Sequence, residues 1–336
     1  MKSSRTFRVS LWKVIYSGLL TLLVATVICS SAQAGTFAYV SLSSGSVAVI
    51  NTKTNTVVTT IPVGNNGLNM IAATPDGTRV YVTSPLDSAV YVINTVRNAV
   101  IGKVPVSVPA GIGITPDGTR AYVTSRVYSG VVSVIDTFSN TVVATISVPD
   151  LSFWMAFTPD GSKLFVVANN APGSVYVIDT NPNSPTYNTI LATIPAGTYP
   201  GGVGITPNGK FAYVGNGESD DLLVIVTSNY SIVTTIPIPN GASVPAVSAS
   251  RVYVPEYFAP AVAVVNALTN KVITTITVGP SPIVAAFTPS RANVYVANGG
   301  TNTVSVIATA TNTVVATITV AGGPFDIAMA MPCGCR

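Results

Sequence analysis

Histidine is absent from all 336 residues. Its loss removes the commonest general base and the commonest transition-metal ligand, leaving no basis for catalytic zinc or copper or for a Cys-x-x-Cys-His haem attachment. No glycine-rich phosphate loop precedes a helix and no Gly-x-Ser-x-Gly elbow appears, so the common nucleotide and serine-hydrolase signatures are missing too. Charge is scarce, at 8% Asp, Glu, Lys and Arg. Cysteine is scarcer, with Cys29 near the amino terminus and Cys333 and Cys335 in the last four residues.

What charge there is sits unevenly. Lys2, Arg5, Arg8 and Lys13 precede an apolar run from Val14 to Ile28, which ends at Ala32-Gln33-Ala34. This is the order of a secretory signal over residues 1–34, with Gly35 as the first mature residue; the run is shorter than the roughly 20 residues of a retained anchor. Cleavage leaves no membrane span and takes away all four of those basic residues. The remaining chain has twelve basic against twelve acidic groups, so bulk charge gives no support for nucleic-acid binding. A secreted, periplasmic or cell-surface location follows.

The rest of the chain repeats. Tyr39-Val40, Tyr81-Val82, Tyr122-Val123, Phe165-Val166, Tyr213-Val214, Tyr253-Val254 and Tyr295-Val296 recur at intervals of 42, 41, 43, 48, 40 and 42 residues. Each copy has an apolar segment, a turn, the Tyr-Val strand, a loop, a strand such as Val47–Ile50, another turn and a strand such as Val314–Ile318. Thr74-Pro-Asp-Gly77 and its copies at 115, 158 and 206 place Pro where φ is preset and Gly where φ is positive, which makes tight hairpins. The period and the Val, Ile and Thr content predict an all-β fold: a seven-bladed β-propeller of four-stranded antiparallel blades over residues 35–331. The chain enters at a second-strand segment, Phe37–Val40, and ends on an orphan first-strand segment, Phe325–Met329, so N- and C-terminal strands are expected to pair and close one blade. The sixth copy is the most irregular, its turn shrunk to Val247–Ser250.

Tyr81-Val-Thr-Ser84, Tyr122-Val-Thr-Ser125 and Tyr295-Val-Ala-Asn298, each downstream of a Thr-Pro turn, resemble the YVTN family of β-propeller repeats found in surface-layer and exported proteins. The resemblance spans residues 36–331. It implies the fold and leaves function open among adhesive or scaffold modules, lactonases and cofactor-bearing subunits.

Position in the repeat sorts the charges. Loops from second to third strands, and from fourth strands to the next first strand, emerge on one face, the top; the other turns emerge on the bottom. Asp76, Asp117, Asp136, Asp160 and Asp179 map to the bottom, with most of the basic residues. Asp87, Asp150, Glu218, Asp220, Asp221, Glu256 and Asp326 map to the top, against Arg126 alone. Asp220 aligns with Asn302 at a turn and reads as structural. Glu218, Asp221 and Glu256 read either as an oxygen-rich site for Ca²⁺, as a patch for a basic partner, or as a solvated rim. Phe153, Trp154, Tyr128, Tyr199, Tyr257 and Phe258 fall on the same face and suit a carbohydrate or peptide surface. The expected role is non-catalytic recognition of a protein or cell-envelope glycan through Glu218, Asp221, Glu256, Asp326, Trp154, Tyr128, Tyr257 and Arg126, with no cofactor. The alternative is a Ca²⁺-dependent, lactonase-like hydrolase using the same carboxylates. In the tail, residues 332–336, Cys333 and Cys335 can form a small disulfide, cross-link to another chain or bind a soft metal.

Overall fold

The computed structural model describes residues 35–65, 67–126, 130–150 and 152–332. The expected export signal at 1–34, Tyr128, Cys333 and Cys335 all lie outside them.

Seven four-stranded antiparallel sheets stand around an axis. The innermost strands, Pro324–Ala330, Ile71–Ala73, Pro109–Ile114, Ser152–Phe157, Pro200–Ile205, Ala246–Val247 and Pro282–Phe287, belong to blades 1 to 7 in that order. Each is followed outward by a Tyr-Val strand, Phe-Val in blade 4, beginning with Phe37–Leu42 in blade 1 and ending with Asn293–Asn298 in blade 7. Blade 1 is the closure the sequence predicted: Phe37 pairs with Ala330 and Val40 with Ile327, so the last strand completes the first sheet.

Burial explains the apolar composition. Second and third strands are covered on both faces by neighbouring blades and read as continuous runs such as Val80-Tyr-Val-Thr83. Fourth strands are solvated, with one isoleucine or valine turned inward, as Ile61 and Ile318 are. The apolar side chains gather into seven clusters, one at each blade junction. Every fourth strand carries a bulge opposite its third strand, which twists the open edge and limits pairing with other chains.

The recurring tyrosines do more than fill space. Each is buried in one blade and donates its hydroxyl to an asparagine on the next: Tyr39 to Asn98 at 2.9 Å, Tyr81 to Asn140 at 2.7 Å, Tyr122 to Asn188 at 2.8 Å, Tyr213 to Asn270 at 3.3 Å and Tyr253 to Asn312 at 2.7 Å. Tyr295 closes the ring onto Asn55. These asparagines end the turns between third and fourth strands with φ between 47° and 60°, a left-handed conformation that Asn tolerates better than most residues. One junction departs from the rule. Phe165 has no hydroxyl, and the facing position on blade 5 is Tyr230 (φ 64°), which packs against the same cluster as Phe165. Lys163 supplies the missing donor, reaching Thr227 O at 3.3 Å with its ammonium 5.1 Å from the Tyr230 ring centre.

The Thr-Pro-Asp-Gly turns and the Thr-Pro-Asn-Gly turn at 206 behave as expected, with Gly77, Gly118, Gly161 and Gly209 at φ 68° to 75°. Thr74 donates to Asp76 at 2.5 Å, and the Asp76 carboxylate takes the Thr78 N–H at 3.0 Å. The sixth blade is a complete sheet, but its innermost strand is reduced to Ala246–Val247. Ser248 turns the chain back onto Arg251 O at 2.9 Å, and Val244 bridges to Val284 of blade 7 instead.

Candidate functional site

The first strands line the central channel, and on the top face Trp154 and Phe325 fill it. Their rings stack with centroids 6.0 Å apart and planes 8° from parallel, and Trp154 packs against the clusters of the junctions between blades 7 and 1 and between blades 2 and 3. Above this floor a cavity of about 370 Å³ opens toward blades 5 and 6. Gly201, at the strand position that holds Phe153 in blade 4, Ile283 in blade 7 and Phe325 in blade 1, leaves space on that side.

Loop geometry sets the walls. Tyr199 precedes Pro200 and has φ 48°, a conformation costly for a bulky residue; it is held by its N–H to Asn170 O at 2.9 Å and by Gly217 N–H to its carbonyl at 3.0 Å. Val108 and Ser281 precede prolines with the same sign of φ, so the bend belongs to the repeat and only the ring is special to blade 5. Opposite, Tyr257 and Phe258 meet edge to face at 5.3 Å and 81°. A Cβ on Gly241 (φ 82°) would lie 2.6 Å from the Phe258 ring, so glycine there lets that ring lie down. Tyr199, Tyr257 and Phe258 remain 42%, 44% and 65% exposed, far more than core aromatics.

Among the described residues Glu218 is the only charged one lining this cavity, and its carboxylate has no hydrogen-bond or ion-pair partner there. Two polar neighbours donate within the protein: Asn169 Nδ2 to Pro200 O at 2.9 Å, and Ser243 Oγ to Ile283 O at 2.6 Å. Arg126 lies to one side, its guanidinium 4.3 Å from the Phe153 ring centre.

The structure therefore brings together Glu218, Trp154 and Tyr257 of the expected site, with Arg126 adjacent, and it corrects the other acids. Asp221 accepts from Asn216 Nδ2 at 2.6 Å. Glu256 is buried and accepts from Asn240 Nδ2 at 2.9 Å. Asp220, at φ 52°, binds Gly241 N–H at 2.8 Å and so ties blade 5 to the loop entering blade 6. Asp326 is not on the surface: its carboxylate is buried beside the channel, takes the N–H groups of Ile71 at 2.9 Å and Ile327 at 2.7 Å, and has its pKa pushed up to about 6 by burial. Among the described residues no three carboxylates gather into a metal-sized group, and Glu218, Asp221 and Glu256, the donors of the Ca²⁺ alternative, are not brought together. Phe325, Ile283 and Ser243 were missed as lining residues. The signal for Phe325 was its equivalence to Phe153 in the repeat.

A larger cavity of about 690 Å³ lies on the bottom between blades 2 and 3. Its charges are self-satisfied: Asp76 and Asp117 bind their own turns, and Arg120 pairs with Asp136 at 2.5 Å. Among the described residues it presents turn formers, with Arg79 held on the Thr137 carbonyl.

The architecture defines the class as a seven-bladed β-propeller. No protein-family profile matches the chain, and no curated protein does. Solved structures do resemble it. Hydrazine synthase of Kuenenia stuttgartiensis superposes with a TM-score of 0.72 at 20% identity, over 79% of this chain and 90% of that one. A functionally unknown protein from Desulfotomaculum acetoxidans DSM 771 gives 0.77 at 20% identity, over 88% and 99%. The dihydro-haem d1 dehydrogenase NirN in complex with DHE gives 0.66 at 12% identity, over 87% of this chain and 65% of that one. At these identities the likeness is one of fold.

Proposed function

We propose that this chain is an exported, non-catalytic propeller of the YVTN-repeat kind that recognises a protein or glycan of the cell envelope through its top face. The observation that carries this reading is the channel mouth: a cavity of about 370 Å³ walled by exposed rings from two blades, floored by Trp154 and edged by one unpaired carboxylate. Ligand sites are concave, mostly aromatic and apolar, with few convergent polar groups. The basic, cleavable leader read from residues 1–34 supports export. Against the hydrolase alternative, one oxygen each of Asp221 and Glu256 is engaged by the amides of Asn216 and Asn240, and among the described residues the three carboxylates do not gather into one group.

Co-sedimentation of the purified protein with an envelope preparation tests the proposal. Binding is expected, and Tyr257→Ala with Phe258→Ala is expected to weaken it at least tenfold without changing the melting temperature. Unchanged binding in that variant would overturn the assignment of the face. Turnover of a lactone panel that depends on Ca²⁺ and is lost in Glu218→Gln would overturn the non-catalytic reading.

A further inference from the structure

We infer that the channel mouth receives an organic cation, an alkylammonium or quaternary ammonium group; this rests on the reading of the top face as a recognition surface and specifies what it recognises. Three observations lead there. First, the exposed rings of Tyr199, Tyr257 and Phe258 surround a cavity floored by Trp154, and aromatic faces attract cations, most strongly where water is excluded. Second, among the described residues the one charge on the lining is negative and unpaired, and no basic residue lines the cavity. Third, apart from Glu218 and the outer tyrosine hydroxyls, the side chains best placed to read a sugar are partly engaged within the protein. A sugar needs several donors and acceptors set around its hydroxyls, but the Asn169 amide nitrogen and the Ser243 hydroxyl donate to backbone carbonyls within the protein. A compact cation needs only ring faces and one carboxylate, and both are present. The Phe153 ring under Arg126 shows a neighbouring aromatic of this mouth already bearing a guanidinium.

Trp154 is the only tryptophan outside the leader, so its fluorescence reports on the cavity floor. Titration of the protein with choline, with its neutral isostere 3,3-dimethylbutan-1-ol and with N-acetylglucosamine separates charge from shape and from sugar. Saturable quenching by choline is expected, with the isostere at least tenfold weaker. Glu218→Gln should weaken choline at least tenfold, and so should Tyr257→Ala, whose unchanged melting curve guards against misfolding. Equal binding of choline and the isostere, an unaffected Glu218→Gln variant, or binding of the sugar in place of choline would overturn the inference. If choline fails while envelope binding still depends on Tyr257 and Phe258, only the cation assignment falls; if both fail, the recognition reading falls with it.

Discussion

The junction between blades 4 and 5 offers a direct test of how the ring is held. At six junctions a tyrosine hydroxyl meets an asparagine; at this one Phe165 faces a position occupied by Tyr230, and Lys163 takes the carbonyl of Thr227. The reference is Tyr81→Phe, which removes a bond of 2.7 Å to Asn140. The Thr137 carbonyl keeps Arg79 at 2.5 Å, so the cost should be about 1 kcal/mol, the net value of one hydrogen bond. Phe165→Tyr alone forces a hydroxyl toward space used by the Tyr230 ring, and overpacking of this kind costs about 1–3 kcal/mol. Tyr230→Asn alone gives up ring packing and the cation–π contact with Lys163, about 1–2 kcal/mol. Together the two changes rebuild the latch of the other six junctions, so the double variant should be more stable than the sum of the singles by at least about 1.5 kcal/mol. Guanidinium unfolding followed by Trp154 fluorescence and by circular dichroism measures this, provided the two probes coincide. Additivity within about 0.5 kcal/mol would refute the claim that the two positions form one latch.

Other expectations follow from the same geometry. Gly77, Gly118 and Gly161 share a positive φ, but a Cβ on Gly77 would lie 2.2 Å from the Met331 carbonyl, whereas at Gly118 and Gly161 it would meet a proline ring at 3.3 and 3.2 Å. Gly77→Ala should therefore lower the melting temperature well beyond the shared backbone strain of about 1–2 kcal/mol, and equal losses at all three sites would show that contact with the closing strand is unimportant. Burial raises the folded-state pKa of Asp326 to about 6, so its contribution to stability is complete below about pH 4 and lost as pH rises through about 6. That two-unit gap corresponds to about 3 kcal/mol, and the difference in unfolding free energy between wild type and Asp326→Asn should change by that order between pH 4 and 7. A flat difference would mean the carboxylate is not desolvated. Deleting residues 324–336 should abolish cooperative unfolding, because blade 1 loses its innermost strand. A retained sharp transition would contradict closure as the source of cooperativity.

Most of this architecture can be read from the chain, because every blade repeats the same demands. Second and third strands need unbroken apolar runs, and hairpins need Pro and Gly at set places, so Tyr81-Val82 and Pro75-Asp-Gly77 mark strand and turn without a structure. Repeat position also fixes which end of the axis a loop occupies, which is why Glu218, Trp154 and Tyr257 could be assigned to one face. The fate of Asp221, Glu256 and Asp326 was not legible. Their oxygens are claimed by Asn216, by Asn240 and by the N–H of Ile71, and those pairings depend on loop conformations and blade contacts that leave no local pattern. The exchange of Asn for Tyr230 opposite Phe165 was visible in principle as two coordinated departures from the repeat, but its meaning needed the inter-blade contact.

The closing strand also determines how the molecule is presented. Phe37 and Ala330 are paired neighbours at the end of blade 1 opposite the channel mouth, so chain leaving either residue emerges on the underside, side by side. A tether at either terminus would therefore aim the aromatic cup outward from its support, and new ends cut at any underside hairpin would keep that orientation in a circularly permuted protein.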